Sequence, residues 1–70
     1  MMERLYKILA TLKKEFPRLG KKMWIDPEEL NIKTDDKMLD SQEKEKLENL
    51  EYVRNVKYVP AIGCWCIYIK

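Results

Sequence analysis

Apolar residues near the amino terminus recur with the period of an α-helix. Spacings of three and four residues place them on one face, so the pattern predicts an amphipathic helix from about Met2 to about Glu15. Pro17 should end this helix because the residue before a proline is pushed out of the α region. Leu19 and Gly20 then turn the chain. The apolar stripe consists of Leu5, Ile8, Leu9, Leu12 and Phe16.

The carboxyl-terminal third has the pattern of a β-hairpin. Val56–Val59 is β-branched or aromatic except for Lys57, Pro60–Gly63 predicts a turn, and Cys64–Ile69 is the strongest strand signal in the chain. Neither side of this last strand is clearly hydrophilic, so one side should cover the helices and the other needs a cover of its own. Alternation places Trp65, Ile67 and Ile69 on one side and Cys64, Cys66 and Tyr68 on the other.

The middle of the chain carries two helix-start signals. Lys22–Ile25 predicts a short strand that carries Trp24. Asp26 then precedes a proline and two glutamates, the usual composition of a helix start, which predicts a short helix over Pro27–Ile32.

The second helix start is a capping box formed by Asp40 and Glu43. It predicts a longer helix from about Ser41 to Glu51. The inward face of this helix is narrow and consists of Leu47, Leu50 and Val53.

This order of elements predicts a small α+β fold: helix, strand, short helix, helix and hairpin. A chain of 70 residues is expected to form a single compact domain over residues 1–70, with a two- or three-stranded antiparallel sheet. The order resembles the winged-helix arrangement, in which a short strand after the first helix pairs with the carboxyl-terminal hairpin. A generic α+β domain with a three-stranded sheet fits nearly as well.

Charge is sorted by segment, although the net charge is only +2. Glu3–Lys22 holds seven cations against two acids, whereas Asp26–Glu51 holds ten acids against four lysines. Because fields act over a Debye length of about 8–10 Å, this sorting predicts one basic and one acidic surface. Charged residues are 37% and apolar residues 46% of the chain, which is enough apolar surface to fold.

The residue types present argue against catalysis. The chain has no histidine, which removes the usual partner of a nucleophilic serine or cysteine. Cys64 and Cys66 are separated by one residue, which suits a disulfide poorly and predicts reduced thiols in a cytoplasmic protein. They are two potential zinc ligands where a structural site needs four, so a metal would have to be shared by two copies. A basic neighbour, Arg54 or Lys57, could still make one thiol reactive. We therefore expect no enzyme, no metal, no cofactor, no small-molecule substrate and no membrane span.

The preferred hypothesis is a non-catalytic protein-binding module, an adaptor or a small inhibitor of the kind that mobile elements encode. A protein partner or a homodimer would contact an acidic helical face and an apolar strand face. The acidic face consists of Asp36, Asp40, Glu43, Glu45 and Glu48. The apolar candidates are Cys64, Cys66, Tyr68 and Tyr58.

The alternative hypothesis is a winged-helix-like regulator that contacts nucleic-acid phosphates through its basic first helix. Carboxylates on the predicted helix over Ser41–Glu51 argue against docking of that helix in the major groove. The candidate phosphate contacts are Arg4, Lys7, Lys14, Arg18, Lys21, Lys22, Arg54 and Lys57.

Overall fold

The computed structural model describes residues 2–35 and 39–70. Its first helix, α1 (Met2–Glu15), has the predicted bounds. Of the predicted stripe, Leu5, Ile8 and Leu12 are buried, and the other two residues are partly buried. The backbone N–H of Phe16 closes its last turn on the carbonyl of Leu12 at 2.8 Å. The predicted turn over Leu19 and Gly20 is instead part of a four-residue helix, α2 (Pro17–Gly20), which has Pro17 at its first position.

A β-hairpin replaces the helix predicted over Pro27–Ile32. Strand β1 (Met23–Asp26) is followed by a turn and by strand β2 (Asn31–Thr34). The Asp26 carboxylate caps the turn as a helix N-cap would, because it accepts the N–H groups of Glu28 at 2.9 Å and Glu29 at 3.2 Å. The helical turn ends at Leu30. The φ of Leu30 is 57°, in the left-handed region, and this stops propagation of a helix.

The capping box is confirmed at the start of α3 (Ser41–Glu48). The Asp40 carboxylate accepts the Glu43 N–H at 2.8 Å, and the Glu43 carboxylate accepts the Asp40 N–H at 3.2 Å. The helix ends before the predicted Glu51, with Asn49 as its C-cap. The chain must turn there because the next strand already begins at residue 53.

The carboxyl-terminal hairpin is confirmed. Strand β3 (Val53–Val59) begins earlier than predicted and is irregular between Val53 and Asn55, and β4 (Cys64–Ile69) has the predicted bounds. In the connecting turn, Gly63 has a φ of 66°, which glycine adopts without strain, and its N–H donates to the Val59 carbonyl at 3.0 Å.

The four strands form one antiparallel sheet in the order β1-β2-β4-β3. The predicted count of two or three strands is therefore too low, because β2 was mistaken for a helix. The strand that pairs with the carboxyl-terminal hairpin is β2 and not the strand directly after the first helices. The winged-helix arrangement is not confirmed; the molecule is a small compact α+β domain.

The helices pack on one face of the sheet, which we call the inner face. In register across the sheet, Ile25, Ile32, Ile67 and Val56 form one inner row. Together with residues of the helices they build the hydrophobic core, which is fully removed from water at its centre. The core residues are Ile8, Leu12, Leu19, Met23, Ile32, Leu39, Leu47, Val53, Val56 and Ile67.

Close packing of α2 on α1 predicts a strict requirement for glycine at position 20. A Cβ atom on Gly20 would lie 2.6 Å from the Cα of Lys13, a backbone atom that cannot move aside easily. Gly20→Ala is expected to lower the free energy of unfolding by about 1–3 kcal/mol, measured by urea denaturation. Gly63→Asn is the control, because nothing lies within 4 Å of Gly63 and asparagine tolerates its φ. A stability loss no larger than that of the control would contradict the clash.

The side chain of Tyr52 predicts a stabilising substitution. Among the described residues, its hydroxyl is buried without a hydrogen-bond partner, and burial followed by the charge of Glu15 raises the pKa of this group. Tyr52→Phe removes an unsatisfied polar atom and should raise the free energy of unfolding by up to about 1 kcal/mol in thermal or urea melts. Tyr58→Phe, at an exposed ring, should change it little. Destabilisation by Tyr52→Phe would show that the hydroxyl has a partner.

Candidate functional site

The side of the sheet away from the helices, which we call the outer face, carries a mixed row of side chains. Trp24 on β1 lies opposite Lys33 on β2, Lys33 lies opposite Cys66 on β4, and Cys66 lies opposite Lys57 on β3. Trp24 at the sheet edge is 39% exposed, and Lys57 is exposed. The row therefore places an indole ring and an ammonium group at opposite edges of one surface.

The centre of the outer face is held by a buried ion pair. Lys33 is only 4% exposed, and its ammonium donates to the Asp26 carboxylate at 2.8 Å and to the Asn31 side-chain oxygen at 2.9 Å. The carboxylate of Glu29 lies 3.5 Å from the same ammonium. A buried charge requires such partners, so the three residues fix the position of Lys33.

These contacts move two pKa values apart. Burial alone would lower the pKa of the Lys33 ammonium, but its hydrogen bond to Asp26 and the surrounding acidic groups outweigh burial and raise that pKa. The hydrogen bond from Lys33, with the backbone N–H groups of Glu29 and Glu28, lowers the pKa of Asp26. Both shifts favour the charged pair.

The predicted apolar candidates do not form one surface. Cys64 and Cys66 lie on the outer face but are buried, with exposed fractions of 8% and 1%. Tyr68 is half-buried on the same face, where burial and then the neighbouring Cys66 raise the pKa of its hydroxyl. Tyr58 lies opposite Trp65 on the inner face, with the two rings edge to face at 5.3 Å. The outer face is therefore covered by its own long side chains around the thiols.

Arg54 adds a second cation to the outer face. Its guanidinium lies over the ring of Tyr68, 5.5 Å from the centroid. This is a cation–π contact, and it holds the guanidinium over the aromatic ring. Arg54 and Lys57, both predicted as phosphate contacts, thus lie along β3 beside an aromatic ring.

A groove on the helical side is the second candidate site. It lies between α3 and the junction of α1 with α2 and has a volume of about 580 Å³, within the range typical of ligand sites. Phe16, Pro17 and Leu50 give it apolar walls. The polar residues along it are Glu15, Arg18, Glu43, Lys46 and Asn49.

The predicted acidic face is partly neutralised. Asp40 and Glu43 cap α3, and Glu43 also forms an ion pair with Arg18. Glu48 pairs with Lys44 at 3.3 Å, whereas Glu45 is exposed on the helix. The fifth residue of this set, Asp36, lies outside the described residues.

The predicted basic residues are dispersed. Arg4 donates to the carbonyl of Lys70 at 2.6 Å, which ties α1 to the end of β4, and Arg18 pairs with Glu43 across the groove. The remaining predicted phosphate contacts before β1 are exposed on α1 and on the turn that follows α2. They are Lys7, Lys14, Lys21 and Lys22.

Comparisons with known proteins give no relative: no protein-family model matches the chain, and no curated protein or solved structure is significantly similar to it. Over residues 2–35 and 39–70, no group of three or more potential metal-ligating side chains comes together. No helix in these ranges is of the length and apolarity that crossing a bilayer requires.

Sequence reasoning missed both the groove and the buried lysine. The groove depends on where the junction of α1 with α2 lies relative to α3, which no local pattern encodes. The lysine had one usable signal, since Lys33 alternates with Ile32 and Thr34 in a run that is compatible with a strand.

The ion pair predicts a stability difference that depends on pH. Asp26→Asn removes the nearest negative charge from buried Lys33 and should lower the urea midpoint at about pH 7. Because folding lowers the pKa of Asp26, its carboxylate stabilises the folded state fully above the ordinary aspartate pKa. This stabilisation is lost as the pH falls through the lowered pKa. The two midpoints should therefore converge in acid.

Glu28→Gln is the matched control for this comparison, because Glu28 is exposed and contributes only its backbone N–H to Asp26. It should leave the midpoint nearly unchanged at every pH. A midpoint difference between Asp26→Asn and the wild type that persists unchanged in strong acid would contradict the assignment of the effect to the carboxylate charge.

Proposed function

We propose that this protein is a non-catalytic module that binds a segment of another protein in the groove between α3 and the junction of α1 with α2. The observation that carries the proposal is the groove itself, with a volume of about 580 Å³ and side chains of Phe16, Pro17 and Leu50 on its walls. A cleft of this size accepts one or two apolar side chains and removes them from water.

The charge around the groove selects the chemistry of the partner. Arg18 and Lys46 balance Glu15 and Glu43 in the lining of the groove. From Asp40 to Glu51, however, the chain holds five acids and two lysines, so the α3 side of the groove has a net negative charge. Glu45 is exposed on α3, and Glu15 borders the groove. A partner segment that combines an aromatic or aliphatic anchor with lysine or arginine neighbours therefore fits best.

The alternative, docking of duplex nucleic acid through α1, has less support. Arg4 and Arg18 have hydrogen-bond partners within the protein, and the helix that would precede α3 in a winged-helix domain is replaced by a hairpin. Carboxylates on α3 would also repel a polyanion at that helix.

The proposal is tested by selecting peptides from a random display library on the immobilised protein. Enriched peptides should share an apolar residue flanked by basic residues, and their affinity should fall as salt is raised. Leu50→Lys places a cation on the apolar wall and should weaken binding of a selected peptide by about tenfold or more, measured by fluorescence anisotropy. Asn49→Trp, which fills the groove from its rim, should have a similar effect.

Ile62→Lys is the matched control, because Ile62 is an apolar residue, 52% exposed, in the turn between β3 and β4. It introduces the same charge away from the groove and should leave affinity nearly unchanged. Peptides without a shared motif, or a folded Leu50→Lys and a folded Asn49→Trp that both bind as tightly as the wild type, would contradict the proposal.

A further inference from the structure

The outer face of the sheet combines two aromatic rings with two cations along one edge. Trp24 is exposed on β1, Tyr68 lies on β4, and Arg54 and Lys57 lie on β3. From this arrangement we propose that the outer face binds single-stranded nucleic acid, with bases stacked on the aromatic side chains and phosphates beside β3. This site is separate from the groove on the helical side.

The spacing of the two rings suits separate bases of one strand. Trp24 is in register with Lys33 and Cys66, and Tyr68 follows Cys66 by two residues on the same face. Strands lie about 4.8 Å apart and residues rise about 3.4 Å along each, so the Cα atoms of Trp24 and Tyr68 are separated by about 12 Å across a diagonal of the face. Bases that stack on both rings would therefore be non-adjacent or splayed.

Lys33 and Cys66, which lie between the rings, are buried. Cys66 is 1% exposed and Lys33 is 4% exposed, so neighbouring side chains cover both. The Lys33 ammonium is turned to Asp26, Asn31 and Glu29 and is neutralised there. Lys33 therefore offers a phosphate no free charge, and stacking is confined to the rings and to the Arg54 guanidinium.

The charges set the direction of the strand. Asp26 and Glu29 lie toward the β1–β2 turn, where they repel phosphates, while Arg54 and Lys57 attract them at the opposite edge. The Arg54 guanidinium already lies over the Tyr68 ring, and a guanidinium plane is itself a surface on which bases stack. The backbone should therefore follow β3 while the bases point across the sheet toward Trp24.

A duplex fits this face poorly. In a duplex the bases are stacked on one another, and only their edges are accessible, in the grooves. A sheet face with no projecting helix would therefore contact only the phosphates. Single strands expose the faces of their bases, which is what a stacking surface recognises. The proposal therefore specifies single-stranded DNA or RNA rather than duplex.

The test is fluorescence anisotropy of a labelled oligothymidylate of about twelve nucleotides. The wild type should bind it in low salt, with a slope of log affinity against log salt of about −1.4 for two phosphate contacts. Trp24→Ala should weaken binding about tenfold, and Trp24→Phe should retain most of it. Lys57→Ala should reduce the magnitude of the salt slope by about 0.7.

Tryptophan fluorescence gives a second readout on the same samples. Trp24 lies on the outer face and Trp65 on the inner face, so the oligonucleotide should quench emission in the wild type and not in Trp24→Phe. Tyr6→Ala, at an aromatic residue 61% exposed on α1, is the matched control and should bind normally.

Three results would each overturn the proposal. They are the absence of oligothymidylate binding in low salt, binding of a duplex of equal length as tightly as the single strand, and a folded Trp24→Ala that binds as well as the wild type. Loss of binding in Lys14→Glu with no effect of Trp24→Ala would place the site on α1 instead.

Discussion

The buried ammonium of Lys33 is the constraint on which the first half of the sheet depends. It lies on a face that no described helix covers, yet it is almost completely removed from water. A charge in that position is stable only with partners at hydrogen-bond distance. Its partners come from the end of β1, from the turn and from the start of β2, so the hairpin is the conformation that brings all of them to one point.

The hairpin determines the outer face of the sheet. It places β2 beside β4, which widens the sheet to four strands and leaves Trp24 at one edge of that face. Ion pairs reduce the surface charge that the segmental pattern suggests: Lys33 pairs with Asp26, and Arg18 from the basic segment pairs with Glu43 from the acidic one. The surfaces that remain are defined by shape and by a few exposed groups.

Sequence reasoning located the elements whose signals are local. The stripe of α1, the capping box at Asp40 and the alternation of Cys64–Ile69 each specify structure through neighbouring residues, and each is present. The hairpin at Asp26 was missed because its sequence signal is ambiguous. The same residues, an N-cap aspartate followed by a proline and two glutamates, can begin either a helix or a single isolated turn. What distinguishes the two is the left-handed Leu30 and the burial of Lys33, and both depend on tertiary packing. The groove is likewise a product of packing between distant segments.

The conformation of residues 23–34 is the most direct test of this account, and NMR of the isotopically labelled protein measures it. The account predicts strand-type chemical shifts for both strands, cross-strand contacts between Trp24 and Lys33 and between Lys33 and Cys66, and slowly exchanging ammonium protons on Lys33. Helical chemical shifts over residues 27–32, with a solvent-exposed Lys33 side chain, would contradict it.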